Sequence, residues 1–308
     1  MKMTVSMIGG APRATRSLGG ILVDSGLLKP EDAERVLQVQ KEENLRFGAA
    51  AVKLGLLTEA DIQYALARQF SYAYLRRGPG EKRQVSDEIV AAYQPFSPRV
   101  EQIRAIRSQL MLRWFDKAEL RQVLTLVGTE RGEGRSYLAA NLAVVFSQLG
   151  ERTLLVDADL RSPRQHELFY LENKIGLSTV LSGRSREEAI VRIADLAGLS
   201  VLPAGPVPPN PLELLNRLNF DEFMMQVKAN YDIIILDTPA LAEGEDGAML
   251  AVRTGAALAV ARAGRTRMAD FQDMVQGLMS AGVAVVGTVL NEAPQNAKKK
   301  RWNGTKVN

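Results

Sequence analysis

Cysteine is absent from the 308 residues, and histidine occurs once. A chain without cysteine has no disulfide framework, no thiolate zinc site and no catalytic thiol. Aromatic residues make up only 6% of the chain, but hydrophobic residues make up 46%, so the chain can build a core. The composition is that of a soluble globular protein, and the length favours one large domain with a smaller one.

Acidic residues are missing from both ends of the chain. Residues 1–17 hold three basic residues and residues 293–308 hold five, without any acid. Because the whole chain has a formal net charge of +4, the part between the ends is slightly acidic, which disfavours a nucleic-acid-binding face. Long apolar runs are also missing, so neither a signal peptide nor a membrane span is expected. These absences favour a cytoplasmic location.

An internal repeat occupies the first quarter of the chain. Residues 18–40 and 47–69 align at an offset of 29 residues, and both copies contain a Gly-Leu-Leu turn. Pro30 in the first copy and Thr58 in the second stand where a helix is expected to begin. Each copy therefore predicts a hairpin of two helices that buries its apolar face against the other copy.

The repeat predicts a small all-α domain, and the pattern changes after it. We expect a disordered N-terminus over 1–15, the helical domain over 16–76, and a linker over 77–96 that is polar and contains glycine and proline. Residues 97–293 then alternate short apolar runs with amphipathic helices, and residues 294–308 form a basic, disordered tail. The apolar runs are 123–127, 153–156, 200–202, 232–236, 257–260 and 283–290.

The apolar runs of the second domain are nearly continuous, as in parallel strands that are covered on both faces. Strands of this kind alternate with helices in doubly wound α/β folds. We therefore predict an α/β domain with a doubly wound, mostly parallel sheet.

A glycine-rich turn follows the first of these strands. Residues 129–136 read Thr-Glu-Arg-Gly-Glu-Gly-Arg-Ser, close to the phosphate-binding pattern G-x-x-x-x-G-K-[ST], in which backbone N–H groups and a helix N-terminus bind phosphate. Two positions depart from it: Thr129 replaces the first glycine, and Arg135 replaces the lysine. Taken alone, the turn is equally compatible with an ordinary connection between a strand and a helix.

Acidic residues end two of the predicted strands. Asp157 and Asp159 follow the second strand, and Asp237 follows the fourth. Ligands of open α/β sheets bind at this edge. A hydrated Mg²⁺ beside Ser136 would offset the cost of burying these carboxylates. The alternative is that the acids cap the following helices, which applies most strongly to Asp159.

With these motifs, the chain resembles the bacterial tyrosine kinases (BY-kinases) of capsule and exopolysaccharide synthesis, P-loop NTPases that are similar to MinD and ParA ATPases. The resemblance runs from Arg99 to Asn291. Its most specific stretch, at 201–215, reads Val-Leu-Pro-Ala-Gly-Pro-Val-Pro-Pro-Asn-Pro-Leu-Glu-Leu-Leu. Further matches are Asp-Ala-Asp-Leu-Arg-Ser-Pro at 157–163, Gly-Leu-Ser at 176–178, Leu-Ser-Gly at 181–183, Asp-Thr-Pro at 237–239 and Gly-Thr-Val-Leu-Asn at 287–291.

The resemblance implies phosphoryl transfer with ATP and Mg²⁺ as cofactors. The implied catalytic residues are Arg135, Asp157, Asp159 and Asp237. The implied nucleotide-binding residues are Gly132, Glu133, Gly134, Arg135, Ser136, Tyr137 and Asn291, the last of them near the adenine. The implied magnesium ligands are Ser136, Asp157 and Asp237. Arginine is planar and binds phosphate bidentately where lysine gives a point charge, so catalytic activity is implied by the family and not by this loop.

The family also implies a biological setting. Its members are protein-tyrosine (auto)kinases that regulate exopolysaccharide polymerisation, chain length and export, and this chain would act at the inner membrane with a transmembrane chain-length-determinant partner (a polysaccharide co-polymerase). Glu101, Arg104 and Arg107 match the family's E-x-x-R-x-x-R, which implies a homo-oligomer; a solvated charged helix is the alternative. The basic tail solubilises the chain or contacts anionic lipid weakly.

The family's usual substrate, a cluster of tyrosines at the C-terminus, is missing, because no tyrosine follows Tyr231. Tyr72, Tyr74 and Tyr93 are the candidate acceptors in or near the linker. Two rival functions stay open. A MinD/ParA-like ATPase is disfavoured because Glu130 occupies the place of that group's second lysine. A catalytically weakened ATP-binding scaffold is favoured by Arg135 and by the missing tyrosines.

The N-terminal repeat resembles the N-terminal domain of type II secretion and pilus ATPases, some of which bind cyclic di-GMP. The residues that match are Arg46, Gly48, Gly55, Leu66 and Gln69. A packed helical adaptor without a ligand is the favoured alternative, because leucines at helical spacing usually form a core.

Overall fold

The computed structural model describes residues 17–69, 74–75, 84–116, 121–185 and 187–292. The chain divides into two compact units between residues 79 and 80. Within the described ranges, no helix is long and apolar enough to cross a membrane.

The smaller unit consists of the two predicted helical hairpins. Its helices are α1 (Leu18–Asp24), α2 (Pro30–Glu43), α3 (Phe47–Lys53) and α4 (Glu59–Gln69). Gly26 and Gly55 have φ angles of +69° and +67°, which glycine adopts without strain, so the repeated Gly-Leu-Leu sequence makes the same turn twice. Thr58 and Asp61 each bond the other's backbone N–H with a side-chain oxygen, an arrangement like a capping box that begins α4.

The larger unit contains a seven-stranded sheet of order β3-β4-β2-β5-β1-β6-β7, parallel except where β3 pairs with β4. The predicted α/β fold with a mostly parallel sheet and a helical N-terminal part is confirmed. The strands are β1 (Val123–Val127), β2 (Thr153–Asp157), β3 (Val191–Arg192), β4 (Leu199–Leu202), β5 (Ile233–Asp237), β6 (Ala256–Arg262) and β7 (Ala284–Asn291). The helices are α5 (Val90–Tyr93), α6 (Pro98–Arg113), α7 (Arg135–Ser147), α8 (Gln165–Leu168), α9 (Leu177–Leu181), α10 (Pro211–Leu215), α11 (Leu218–Asn230), α12 (Asp246–Thr254) and α13 (Met268–Ser280).

The centre of the sheet and the helix after the glycine-rich turn form the core. Every residue of β1, β2 and β5 is buried, and α7 is buried from Leu138 to its end. A helix that is apolar on all sides belongs in an interior, so α7 holds its first turn rigidly at the edge of the sheet. In contrast, β7 lies at one edge of the sheet and is partly exposed.

Part of the predicted linker belongs to the larger unit, which corrects the sequence-based expectation for 77–96. Val85, Ile89 and Ala91 are completely buried. Asn141 of α7 accepts a hydrogen bond from the Ala91 N–H at 2.9 Å and donates one to the Glu88 carbonyl at 3.0 Å. A few small apolar side chains among polar ones give no periodic signal, so this packing was not visible in the sequence.

Candidate nucleotide-binding and catalytic site

The glycine-rich turn connects β1 to α7 at the carboxyl edge of the sheet. Gly132 and Gly134 have φ angles of +76° and +96°, so a side chain at either position would strain the backbone. At Gly128, a Cβ atom would collide with the side chains of Glu133 and Arg135. Gly134 caps α7 without a side chain, which leaves the first N–H groups of the helix for an anion.

A cleft of about 380 Å³ opens beside this turn. Gly132, Gly134, Ser136, Tyr137 and Asn291 line it together with five arginines and two acids, and positive charge therefore predominates. A positive cleft at a helix N-terminus suits a polyphosphate. The arginines are Arg99, Arg131, Arg135, Arg164 and Arg262, and the acids are Glu88 and Asp159.

Arg135 is buried in the wall of the cleft, with 6% of its surface exposed. Its Nη1 donates to the Glu130 carbonyl at 2.8 Å and to the Glu133 carboxylate at 3.1 Å. Its Nε donates to the Thr238 carbonyl at 3.2 Å. The guanidinium is therefore held by the turn and by the segment that follows β5.

Glu133 has a side-chain role that the sequence did not predict. Its backbone N–H was expected to bind phosphate, but its side chain is also completely buried within the turn. The carboxylate accepts hydrogen bonds from the hydroxyls of Thr129 at 2.7 Å and Thr266 at 2.5 Å. Asn291, predicted near the adenine, donates its Nδ2 to the Glu133 carbonyl at 3.0 Å, which ties the edge strand β7 to the turn.

Asp157 and Asp237 lie side by side in β2 and β5, where they are register partners. Both are completely buried. Burial, reinforced by the negative charge of Asp237, raises the pKa of Asp157 well above its usual range. Burial raises the pKa of Asp237 to about 6, against the opposing effect of the Gln165 and Ser136 side chains.

The residues present suit a magnesium ion that completes its shell with phosphate and water. Mg²⁺ takes one or two carboxylates and fills its remaining positions with water and substrate phosphate. Ser136 lines the cleft, and Asp237 Oδ1, behind it, makes no hydrogen bond of ordinary geometry with any described residue. Within the described ranges, no group of three or more acidic or histidine side chains could hold a metal alone.

Gln165 is a site residue that the sequence analysis missed. Its backbone N–H donates to Asp157 Oδ2 at 2.8 Å. Its side-chain amide donates to Asp237 Oδ2 at 2.7 Å and to the Ser136 carbonyl at 3.1 Å. Gln165 thus connects both strand-end aspartates to the first turn of α7. It follows the stretch that matches the family, and one sequence contains no signal for its role.

Asp159 closes a turn ahead of α8, whereas Asp157 accepts hydrogen bonds from the N–H groups of Arg164 and Gln165 at the start of that helix. Asp159 Oδ1 accepts hydrogen bonds from the backbone N–H groups of Arg161 at 3.1 Å and Ser162 at 2.8 Å, which fixes the local turn. It also lines the cleft. Burial raises its pKa, while those two backbone donors act in the opposite direction.

The three residues predicted at an oligomer interface divide into two groups. Glu101 and Arg104 form an ion pair on α6. Arg107 donates from Nη1 to the Val145 carbonyl of α7 at 2.9 Å. That contact gives Arg107 a role within the subunit, because it anchors α6 to the helix that carries the turn.

The matched residues of the smaller unit have mostly structural positions. Gly48 is buried, and a Cβ atom there would lie 2.9 Å from Ile62. Gly55 makes a turn, and Leu66 packs against the core. Arg46 is exposed and Gln69 is half-buried. Cyclic di-GMP binding stays a prediction.

The candidate acceptor tyrosines also differ in their surroundings. The Tyr93 hydroxyl donates to the Val85 carbonyl at 2.9 Å and accepts from the Val85 N–H at 3.2 Å, so it is engaged within the fold. Tyr74 is half-buried. Tyr72 and the predicted tail, 294–308, lie outside the described residues.

Curated proteins of similar sequence include several tyrosine-protein kinases. Tyrosine-protein kinase YwqD of Bacillus subtilis (strain 168) is 35% identical over 217 residues, which cover 70% of this chain and 90% of that protein. Tyrosine-protein kinase wzc of Salmonella typhi is 32% identical over 212 residues, which cover 69% of this chain but 29% of that protein. The chain therefore spans most of the length of the first relative and under a third of the second.

A solved structure and a family model also match this chain. The kinase domain of Escherichia coli tyrosine kinase ETK matches with a TM-score of 0.65 at 30% identity, covering 75% of this chain and 89% of that chain. A family model described as cellulose biosynthesis protein BcsQ matches residues 121–268. On the strength of its similarity to the kinases, this chain belongs to the bacterial tyrosine-protein kinases.

Proposed function

We propose that this chain transfers the γ-phosphoryl group of ATP to tyrosine, with Mg²⁺, and so regulates exopolysaccharide polymerisation, chain length and export. The observation that carries the proposal is that Gln165 links the two buried aspartates, Asp157 and Asp237, to Ser136, which lines the arginine-rich cleft. Phosphoryl transfer needs positioned phosphates and neutralised charge more than covalent chemistry. The cleft supplies both.

The chain's own groups divide the work. Backbone N–H groups from Gly132 to Ser136 bind the β- and γ-phosphates, and Arg135 adds positive charge. Ser136, Asp157 and Asp237 would hold Mg²⁺, which would neutralise charge on the phosphates when it is bound. Asn291 and Tyr137 lie on the cleft wall, where the nucleoside is expected. The Arg99 guanidinium is 4.9 Å from the centroid of the Tyr137 ring.

The proton of the acceptor hydroxyl passes to a carboxylate. Asp159 lines the cleft, and burial raises its pKa, which makes it a stronger base than an ordinary aspartate. Efficient general bases have a pKa near the operating pH. Asp159 is therefore our first candidate for this role, and Asp157, which lies deeper, is the second.

Among the described tyrosines, we propose Tyr170 as the acceptor to test first. Among the described tyrosines it alone is exposed, with 54% of its surface accessible. Its φ angle of +51° is unusual for a bulky residue. The backbone at Tyr170 is therefore strained although its side chain does not pack in the core, and such strain is common at functional positions. Its Oη would attack the γ-phosphorus while the bond to the bridging oxygen of ADP breaks.

The wider setting is proposed from the family alone. We place the chain in the cytoplasm at the inner membrane, with a transmembrane chain-length-determinant partner, and we assign the ion pair of Glu101 and Arg104 to a homo-oligomer interface. Cyclic di-GMP binding by the smaller unit is the least supported of these proposals, because Gly48, Gly55 and Leu66 already have structural roles.

A transfer assay tests the proposed function. The full chain is incubated with γ-labelled ATP, Mg²⁺ and the cytoplasmic segment of its partner, and phosphotyrosine is measured and mapped. We expect phosphotyrosine that depends on Mg²⁺, is lost in Asp157→Ala and falls sharply in Tyr170→Phe. An exposed carboxylate outside the cleft gives the matched control, Asp195→Asn.

The same assay separates the rival functions. Phosphate release without phosphotyrosine would make the chain an ATPase, and ATP binding without turnover would make it a scaffold. Phosphotyrosine that maps elsewhere and is unchanged in Tyr170→Phe would contradict the choice of acceptor while leaving the kinase intact.

A further inference from the structure

The two departures of the turn from the usual phosphate-binding pattern share one partner. Thr129, in place of glycine, donates its hydroxyl to Glu133 Oε1 at 2.7 Å. Arg135, in place of lysine, donates Nη1 to Glu133 Oε2 at 3.1 Å. Glu133 has no exposed surface. The two unusual residues are therefore coupled through a buried carboxylate.

Gly128 makes room for this coupling. Any Cβ atom there would collide with both the Glu133 carboxylate and Arg135 Nη1. Thr266, from the loop between β6 and α13, also donates its hydroxyl to Glu133 Oε1. The carboxylate is thus fixed by three side chains, two from the turn itself and one from a neighbouring loop.

The guanidinium of Arg135 is held through two of its three nitrogens, Nε and Nη1. Arginine has five N–H donors in a rigid fork. Nε bonds the Thr238 carbonyl, and Nη1 bonds the Glu130 carbonyl and Glu133. For Nη2, the part of the chain that the structure describes provides no hydrogen-bond partner. Because Arg135 lines the cleft, Nη2 is the nitrogen left for a ligand.

We propose that Glu133 is a positioning residue, which fixes Arg135 so that Nη2 donates to the phosphates of ATP where a lysine would otherwise do so. This inference rests on the proposed function. A lysine has one nitrogen, so pairing with Glu133 would bring the carboxylate close to the phosphate. The planar guanidinium keeps the two anions on different nitrogens. A cation that is fixed before binding loses little freedom when ATP arrives.

A double-mutant cycle tests this role. In the wild-type background, Glu133→Gln is expected to lower kcat/KM for ATP about tenfold. The glutamine amide is neutral, so the charge-assisted hydrogen bond from Arg135 Nη1 is lost. In the Arg135→Lys background, the same change is expected to lower kcat/KM less than about threefold, because an ammonium group has no second nitrogen whose direction a bond to Glu133 could fix. ATP affinity by calorimetry is measured beside the kinetics.

Two further variants protect the test from a folding artefact. Thr129→Val removes one hydrogen bond of Glu133 without changing Arg135. It should lower kcat/KM by about threefold in the wild-type background and by less in the Arg135→Lys background. Glu222→Gln, on the exposed side of α11, should change nothing. Thermal unfolding of each variant shows whether it folds.

The outcomes separate this inference from the proposed function. Equal losses from Glu133→Gln in both backgrounds would overturn the positioning role, because Glu133 would then act on the fold and not through Arg135. A wild-type chain that neither binds nor turns over ATP would instead overturn the proposed function.

Discussion

Replacing Arg135 by alanine is expected to lower the affinity for MgATP by at least about a hundredfold and to abolish measurable phosphotyrosine. The substitution removes positive charge from the phosphate site, and it leaves Glu133 buried without its cationic partner. Breaking a buried ion pair by removing one member destabilises by about 3–5 kcal/mol. We therefore expect the turn to rearrange as well as lose charge, and calorimetry with MgATP measures the loss.

The matched control is Arg184→Ala, an arginine that is exposed and does not line the cleft. It should bind MgATP within about twofold of the wild type. If Arg135→Ala bound MgATP as tightly as this control, Arg135 would have no part in binding phosphate.

Replacing Asp237 by asparagine is expected to make the nucleotide-free protein more stable and catalytically inactive. Burial raises the pKa of Asp237 to about 6 in the folded chain, whereas a free aspartate has a pKa of about 3.9. Such a carboxyl favours the folded state when protonated, and that stability is lost as the pH rises from about 4 through about 6. At pH 7.5 the buried charge costs up to roughly 3 kcal/mol.

Asparagine removes this charge, so Tm at pH 7.5 should rise by up to about 6–12 °C. At pH 5, where the wild-type carboxyl is mostly protonated, the difference should shrink. The stabilisation that MgATP gives to the wild type should disappear in Asp237→Asn. An exposed aspartate, changed in Asp195→Asn, should show neither effect. A less stable Asp237→Asn would contradict the cost assigned to burying this charge, and a fully active one would contradict a magnesium-binding role for Asp237.

The fold was predictable because its strands are continuous apolar runs. β1 was predicted residue for residue, and β2, β5 and β6 to within a few residues, since parallel strands covered on both faces need apolar side chains throughout. β3 was missed because it has two residues. The packing of 84–96 was missed because it depends on contacts with Asn141 that no local pattern reveals.

Candidate site residues could be singled out where chemistry is tied to a motif. The turn and the strand-end aspartates stood out because phosphate binding requires glycines, a helix N-terminus and acids at one edge of the sheet, and their function stays a prediction. The side-chain role of Glu133 and the bridging role of Gln165 were not found, because both arise from segments that are distant in sequence. Thr129 and Arg135, which depart from the motif, share a contact with Glu133 that the sequence alone does not reveal.

A crystal structure of the chain with Mg²⁺ and a non-hydrolysable ATP analogue tests the central claim most directly. We expect Arg135 Nη2 within hydrogen-bonding distance of a β- or γ-phosphate oxygen, with the contacts of Nη1 to Glu133 and of Nε to the Thr238 carbonyl preserved. We also expect Mg²⁺ to be bound by Ser136 and by Asp237, with Asp237 acting either directly or through a water molecule. An analogue bound outside the turn, or an Arg135 that has left Glu133 and turned away from the phosphates, would contradict the claim.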